Sequence, residues 1–293
     1  MERESNIAII TGGGGAEREV SLASAQNIKK ILRIDDSFVF DYPQDKDKVI
    51  NQKDEIDVVI PMVHGAGGED GEIQEFLESI GLKYIFSSPE VHKKALDKRE
   101  AKRIVEKNNI NVALEYEKAS DIKGLVFAKP VEGGSSVNTI MTADKEVLKD
   151  FLSKNSDVNF IIEDAIIGRE FSVGVVNYEG VTMPLSVVEI KPKGSFFDYE
   201  SKYNKESLAE EVCPAEIDYE LKDRLKSQAQ LVHEVMGCKH ISRSDFIVTN
   251  ENEIFFLEVN TIPGMTETSI IPKELNEANI SLKDIFNYWI NKI

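Results

Sequence analysis

The stretch Arg243 to Ser269, reading RSDFIVTNENEIFFLEVNTIPGMTETS, constrains this chain more than any other. Two apolar runs, Phe246 to Val248 and Ile254 to Val259, flank the turn-forming string Thr249-Asn250-Glu251-Asn252, which is a hairpin pattern. For a turn symmetric about its centre, Asp245 lies opposite Glu258 and Arg243 opposite Asn260, because side chains alternate faces along each strand. One face then carries Phe246, Val248, Phe255, Leu257 and Val259, and belongs in a core. The other ends in Arg243, Asp245, Glu258 and Asn260, with opposed Cβ atoms about 5 Å apart, where two like charges are unfavourable. Two facing carboxylates with a neutral oxygen ligand suit a cation. All-oxygen ligation is what Mg²⁺ prefers, and Mg²⁺ held by one or two carboxylates commonly carries substrate phosphates. A solvated strand end, with Arg243 pairing an acid, explains the same residues, and the hairpin alone does not choose between them.

The rest of the chain narrows the choice. Its 293 residues are enough for two or three modules with real cores. A content of 41% hydrophobic and 30% charged residues is that of a globular, enzyme-sized protein rather than a disordered one. The formal charge of -17 argues against a nucleic-acid or anionic-membrane surface, since both need concentrated Lys and Arg. Any anionic ligand is therefore held by a few placed cations. The apolar runs are strand-sized, short of the roughly 20 residues a membrane helix needs, and MERESN has no signal-peptide pattern. Cys213 and Cys238, with no CxxC or His partner at ligand spacing, read as free thiols in a reducing cytoplasm.

Taken in order, Ile7 to Ile10 is a short buried strand, followed by Gly12-Gly13-Gly14-Gly15 and a helix from about Glu17 to Leu32. Strand, glycine turn and helix start are an anion-holding arrangement. Here, however, TGGGGAE departs from GxGxxG, and Glu17 beside the helix start would repel a phosphate while suiting an amine or the helix dipole. A second strand, Val58 to Val63, runs into His64-Gly65-Ala66-Gly67-Gly68-Glu69-Asp70-Gly71 and a helix with Ile73, Phe76, Leu77 and Ile80 at helical spacing. The glycines let this loop approach a ligand at the carboxyl end of its strand, and His64 reads as a loop-holding residue or a catalyst. Two βα units and the run Tyr84 to Phe86 form a small doubly wound domain ending near Ser87.

One helix is predicted from Pro89 to about Lys107, with Lys98 beside Asp97. The strand Leu125 to Ala128 delivers Lys129-Pro130 and then Val131-Glu132-Gly133-Gly134-Ser135-Ser136-Val137. A lysine before a Gly-Gly-Ser-Ser loop offers a point charge with backbone and hydroxyl donors to a phosphate, although a flexible hairpin loop reads the same way. Asn159 to Ile162 is a strand, and Glu163 and Glu170 bracket a short apolar link that includes Ile166. That link could wall an adenine, with one acid near its amino group and the other near ribose hydroxyls; plain surface acids are the alternative. Strands Phe171 to Val176 and Met183 to Ile190 lead to a long aromatic and charged loop, Lys191 to Tyr203, of a length common in functional lids and in disordered segments. Asp218 to Met236 carries one apolar helical stripe closed by Gly237, and Ser281 starts a final amphipathic helix.

Together these segments resemble the D-alanine:D-alanine ligases of the ATP-grasp superfamily. The resemblance rests on GGGGAEREVSL, VVIPMVHGAGGEDGEIQ, ALDKREAK, VFAKPVEGGSSV, IIEDAIIGREFSV, EIKPKGSFFDYESKY, CPAEI, and SRSDF with FLEVNTIPGMTETS. It implies an α/β protein: a Rossmann-like domain at 1–87, a central ATP-grasp part at 88–167, and a C-terminal part with lid loop and metal site at 168–293. It implies ligation of two D-alanines through an acyl phosphate in the cytoplasm, with related ligases using D-serine or D-lactate as the second substrate. ATP and two Mg²⁺ ions, with Mn²⁺ as a substitute, are the implied cofactors, and a homodimer the implied assembly. Carried over by position, Asp245, Glu258 and Asn260 hold metal. Lys98, Lys129, Gly133, Gly134, Ser135, Ser136, Glu163, Ile166 and Glu170 bind ATP. Glu17, His64, Arg243, Ser269 and Ile270 bind the amino acids. Arg243 and Gly264 stabilise the oxyanion, and Ser135 and Tyr203 join Glu17 to a lid containing Lys202 and Tyr203. Gly15-Ala16, Val137-Asn138 and Phe86-Ser87 depart from the family pattern, at positions that bear on substrate affinity and lid mobility rather than on the reaction.

Overall fold

The computed structural model describes residues 6–14, 17–65, 67–133, 138–192 and 209–293. Expectations for Gly15, Ala16, Gly134, Ser135, Ser136, Lys202 and Tyr203 lie outside the described residues.

The first segment alternates β1 (Ile7–Gly12), α1 (Arg18–Leu32), β2 (Val39–Tyr42), α2 (Lys46–Gln52), β3 (Val58–Pro61) and α3 (Glu72–Ile80). Its strands form a parallel sheet in the order β2-β1-β3, as continuous apolar runs separated by helices require. Tyr84 makes an isolated parallel bridge to Val59, so the run Tyr84 to Phe86 is not a full strand. The single helix expected after Pro89 is two, α4 (Pro89–Leu96) and α5 (Lys98–Glu106). The break is at Asp97, whose extended backbone ends α4 and whose carboxylate accepts from the N–H groups of Arg99 and Glu100, an N-cap for α5. Lys98 thereby becomes the first residue of a helix instead of a mid-helix side chain.

Next come β4 (Glu115–Tyr116), β5 (Val126–Pro130), β6 (Ile140–Thr142), α6 (Lys145–Lys154) and β7 (Phe160–Asp164), forming an antiparallel sheet in the order β4-β7-β5-β6. The last segment holds β8 (Arg169–Tyr178), β9 (Val181–Lys191), β10 (Glu210–Val212), α7 (Tyr219–Met236), β11 (Ile241–Val248), β12 (Ile254–Asn260), α8 (Ile270–Glu277) and α9 (Leu282–Ile290). Its sheet runs β10-β9-β8-β11-β12. The α7 stripe Leu221, Leu225, Ala229, Val232 and Met236 is buried, with Asp218 capping its start and left-handed Gly237 its end. Ser281 likewise caps α9 by accepting from the Asp284 N–H.

The apolar cores tie the segments together. Val91, Ala101 and Val105 of α4 and α5 pack with α7 against Phe171, Val173, Phe246 and Phe256 of the five-stranded sheet. Phe286 and Trp289 of α9 return to the first sheet and join Ile9, Ile28 and Ile60 with Val176 and Ile241. Strands from different parts of the chain are thus fixed against each other by shared buried side chains, and their ends converge.

The hairpin β11–β12 pairs Asp245 with Glu258 and Arg243 with Asn260, as alternation predicts. Beyond Asp245 the register shifts, so that Phe246 faces Phe256 and Val248 faces Ile254. A bulge at Leu257 causes the shift, because five residues, Thr249 to Glu253, separate the paired ends. The core face is therefore Phe246, Val248, Ile254, Phe256 and Val259, while Phe255 and Leu257 are only half-buried, contrary to the symmetric-turn expectation. One extra residue flips the faces on one side of it, and bulges of this kind re-aim side chains beside functional sites.

Candidate active site

A cavity of about 380 Å³ opens where these elements meet. Ten of the residues singled out in the sequence line it: Glu17, His64, Lys98, Gly133, Arg243, Glu258, Asn260, Gly264, Ser269 and Ile270. They come from the entry to α1, the loop after β3, α5, the loop after β5, the hairpin, the segment after β12 and the start of α8. Lys129, Glu163, Ile166, Glu170 and Asp245 do not line this cavity.

Glu17 immediately precedes α1 without a side-chain capping bond, and Gly65 lies against it. A Cβ on Gly65 would come within 2.5 Å of Glu17 Oε2, on a backbone already at φ +71, so only glycine allows the approach. His64 is 5% exposed, its N–H donating to Ser21 Oγ at 2.9 Å, and its Nε2 is 3.4 Å from Ser24 Oγ. Ser24 Oγ also accepts from the Met265 N–H at 3.0 Å. His64 thus belongs to a polar link between α1, its own loop and the segment after β12. Burial lowers its pKa, which keeps the imidazole neutral.

Gly264 lets Ser269 close in, since a Cβ there would sit 2.9 Å from Ser269 Oγ. Ser269 precedes α8 and its hydroxyl accepts from the Thr266 N–H at 3.1 Å, leaving the unpaired N–H groups of the first turn facing the cavity end of the helix.

On the hairpin, Arg243 donates to both oxygens of Asp245, Nε to Oδ1 at 3.0 Å and Nη2 to Oδ2 at 2.8 Å, and Ser172 Oγ donates to Oδ1 at 2.6 Å. Although burial works against it, Asp245 and Glu258 hold the guanidinium charged, with its pKa raised. Lys98 Nζ bonds the Gly133 carbonyl and lies 3.7 Å from Glu258 Oε2. Asn260 Oδ1 accepts from the Ile262 N–H at 2.8 Å. The donor set of Asp245, Glu258 and Asn260 is all oxygen and fits a hard divalent cation. A carboxylate offers about four lone-pair sites, and Arg243 and Ser172 use three on Asp245, so its Oδ2 keeps acceptor capacity.

A second charged cluster lies in the four-stranded sheet. Glu163, 3% exposed, accepts from Lys129 at 2.9 Å on Oε1 and from Lys102 on Oε2. Against the cost of burial, the two ammonium groups hold its pKa below the usual carboxylate range. Lys102 and Glu69 went unnoticed in the sequence. Glu69 lines the cavity, accepts from the Gly65 N–H at 2.7 Å, and is pushed up to about 8 by its enclosure. Its signal was available in the acidic end of the loop HGAGGEDG, whereas Lys102 sat in a helix full of lysines.

The geometry has counterparts among known proteins. Residues 39–87 match the family described as D-ala D-ala ligase N-terminus, and residues 96–291 the D-ala D-ala ligase C-terminus. A D-alanine–D-alanine ligase of Fervidobacterium nodosum is 32% identical over 98% of this chain and 98% of its own. The VanG D-Ala:D-Ser ligase from Enterococcus faecalis superposes with a TM-score of 0.83 at 26% identity, covering 99% of each chain. A D-alanine–D-alanine ligase from Bacillus anthracis, solved with ATP, gives a TM-score of 0.79 at 25% identity, covering 97% of this chain and 96% of the other. With both halves of the family matched in order and a full-length relative at this identity, the chain belongs to the D-alanine–D-alanine ligase family and has the ATP-grasp fold.

Proposed function

We propose that this chain joins two D-alanines at the expense of ATP, providing a dipeptide for bacterial cell-wall precursors in the cytoplasm. The observation that carries this reading is the hairpin end: Arg243, Asp245, Glu258 and Asn260 pair across two strands, and three of them line a cavity shared with Glu17, Gly264 and Ser269. Among the described residues no helix is long and apolar enough to cross a membrane.

In the first step the carboxylate of one D-alanine attacks the γ-phosphate of ATP, giving an acyl phosphate and ADP. Glu17 binds the ammonium of that substrate and His64 borders it. Lys98 and Lys129 face the phosphates, and Gly133, Gly134, Ser135 and Ser136 supply backbone and hydroxyl donors to them. Glu163 and Glu170 face adenine and ribose, and Ile166 packs on the base. Phosphoryl transfer of this kind needs positioning and charge neutralisation more than covalent help. Asp245, Glu258 and Asn260 would hold two Mg²⁺ ions, or Mn²⁺, which neutralise phosphate charge when bound.

In the second step the amine of another D-alanine attacks the acyl carbonyl and phosphate leaves. Ser269 and the Ile270 N–H receive its carboxylate at the start of α8, and Arg243 with the Gly264 N–H stabilises the oxyanion. Ser135 and Tyr203 act with Glu17 on the substrate, and Lys202 belongs with them by the same family likeness. Residues 1–87, 88–167 and 168–293 act as the three parts of this machine, and the protein works as a homodimer.

The experiment is phosphate release from ATP and Mg²⁺ with D-alanine, followed by addition of D-serine or D-lactate, with product identified by mass. D-alanyl-D-alanine is the expected product, and absence of D-alanine-dependent phosphate release contradicts the reading. The likeness to a D-Ala:D-Ser ligase favours D-serine as the second acceptor to try, and a D-alanyl-D-serine product would replace the main reading.

A further inference from the structure

Helix α5 buries two lysines on one face, Lys98 and Lys102, and only Lys98 has a place in the chemistry above. Lys102 is 5% exposed and reaches Glu163 Oε2, while Lys129 Nζ lies 2.9 Å from Oε1 of the same carboxylate. Three buried ionisable groups from α5, β5 and β7 therefore form one cluster. Glu115 of β4 lies opposite Glu163 in the sheet, and its carboxylate is taken up by Arg99 at 2.6 Å.

Charge accounting makes this cluster unusual. A buried lysine and a buried acid alone satisfy each other, and at low dielectric such a pair is hard to separate. Lys129 and Glu163 by themselves would be self-contained, so a phosphate would have to compete with the carboxylate for Lys129. With Lys102 on the second oxygen, Glu163 is already neutralised, and one positive charge is left in excess beside the Gly133 loop. Retaining three ions has a cost: burial and the neighbouring Lys129 push Lys102 down to about 8. A purely structural helix contact would be met more cheaply by an apolar side chain.

We propose that Lys102 is a positioning residue that neutralises Glu163 and so leaves the charge of Lys129 available to a phosphate of the nucleotide. The proposal deepens the reading above and rests on Lys129 meeting phosphate.

The test is calorimetric titration of the full chain with a non-hydrolysable ATP analogue and Mg²⁺, together with steady-state kinetics. Lys102→Met should weaken analogue binding roughly tenfold or more, the size of a lost charge-assisted contact, and raise the KM for ATP in parallel while the KM for D-alanine stays put. Lys102→Arg should retain most of the affinity. The effect of Lys102→Met is also measured in a Glu163→Gln background, so that any loss from the adenine contact of Glu163 is common to both proteins; there Lys129 faces a neutral amide, and adding Lys102→Met should change binding by less than about threefold. Unchanged affinity in Lys102→Met, or a loss in the Glu163→Gln background as large as the one in the parent, overturns the proposal. Should Lys102→Met not fold, the double variant decides alone against Glu163→Gln, a change within about threefold supporting the proposal and a larger loss overturning it. Lys129→Met separates the two levels. If it leaves analogue binding unchanged, the phosphate reading fails and takes the proposal with it. If it weakens binding while Lys102→Met does not, the reading stands and only the proposal falls.

Discussion

The four-stranded and five-stranded sheets both bury a carboxylate beside a cation, but with opposite excess. In the four-stranded sheet Glu163 is shared by Lys102 and Lys129, so cations outnumber acids. In the five-stranded sheet Arg243 is shared by Asp245, which it bonds, and Glu258, which faces Asp245 across the hairpin, so acids outnumber cations. Lys98 of α5 stands between the two, bonded to the Gly133 carbonyl on one side and 3.7 Å from Glu258 on the other. A ligand that suits both walls carries its own anionic and cationic parts. A nucleotide triphosphate with a divalent metal has that composition, and neither wall alone would select it.

The acidic wall is the more exacting of the two. Glu258→Gln keeps size and hydrogen bonding but removes the charge that calls for a cation, so turnover should fall by roughly 10²–10³ with the melting temperature near the parent's. Phosphate release and thermal unfolding check the two halves of that statement. Near-normal turnover at limiting Mg²⁺ would count against the metal role.

What aims the acidic wall is the bulge, and stability measurements resolve it. Phe256 is fully buried and Phe256→Ala should cost about 3–5 kcal/mol, while Leu257→Ala, at the half-buried bulge, should cost less than about 1.5 kcal/mol. Denaturant titration distinguishes them, and the reverse order would restore the symmetric register.

A smaller effect separates Glu69 from the paired acids. Its pKa is raised from 4.5 to about 8, so the folded protein keeps a proton that the unfolded chain releases. The stability this provides is fully present below pH 4.5 and is lost as pH rises toward about 8. Glu69→Gln avoids that loss. Its melting temperature should exceed the parent's by about a few degrees at the upper end of the range and match it at the lower end. A constant difference across pH would show that Glu69 does not titrate in this way.

Legibility in the sequence followed the range of the interactions. The pairing of Asp245 with Glu258 was readable because turn residues and alternation are local, and the caps at Asp218, Gly237 and Ser281 were readable for the same reason. The bulge at Leu257 was not, since TNENE supports a four- or five-residue connection equally well and one residue decides which face is core. The break at Asp97 had a local signal in an acid preceding a helical run, yet the apolar spacing continues through it and suggests one helix. Lys102 and Glu163 are 61 residues apart and meet only once α5 packs beside the sheet, so no sequence pattern foretells that pair.

The most direct measurement of the two-wall account is analogue binding with and without Mg²⁺, for the parent and for Glu258→Gln. Strong Mg²⁺ dependence in the parent and its loss in the variant, with a residual Mg²⁺-independent affinity from the lysine wall, is the predicted result. Equal Mg²⁺ dependence in both proteins, or none in the parent, would contradict it.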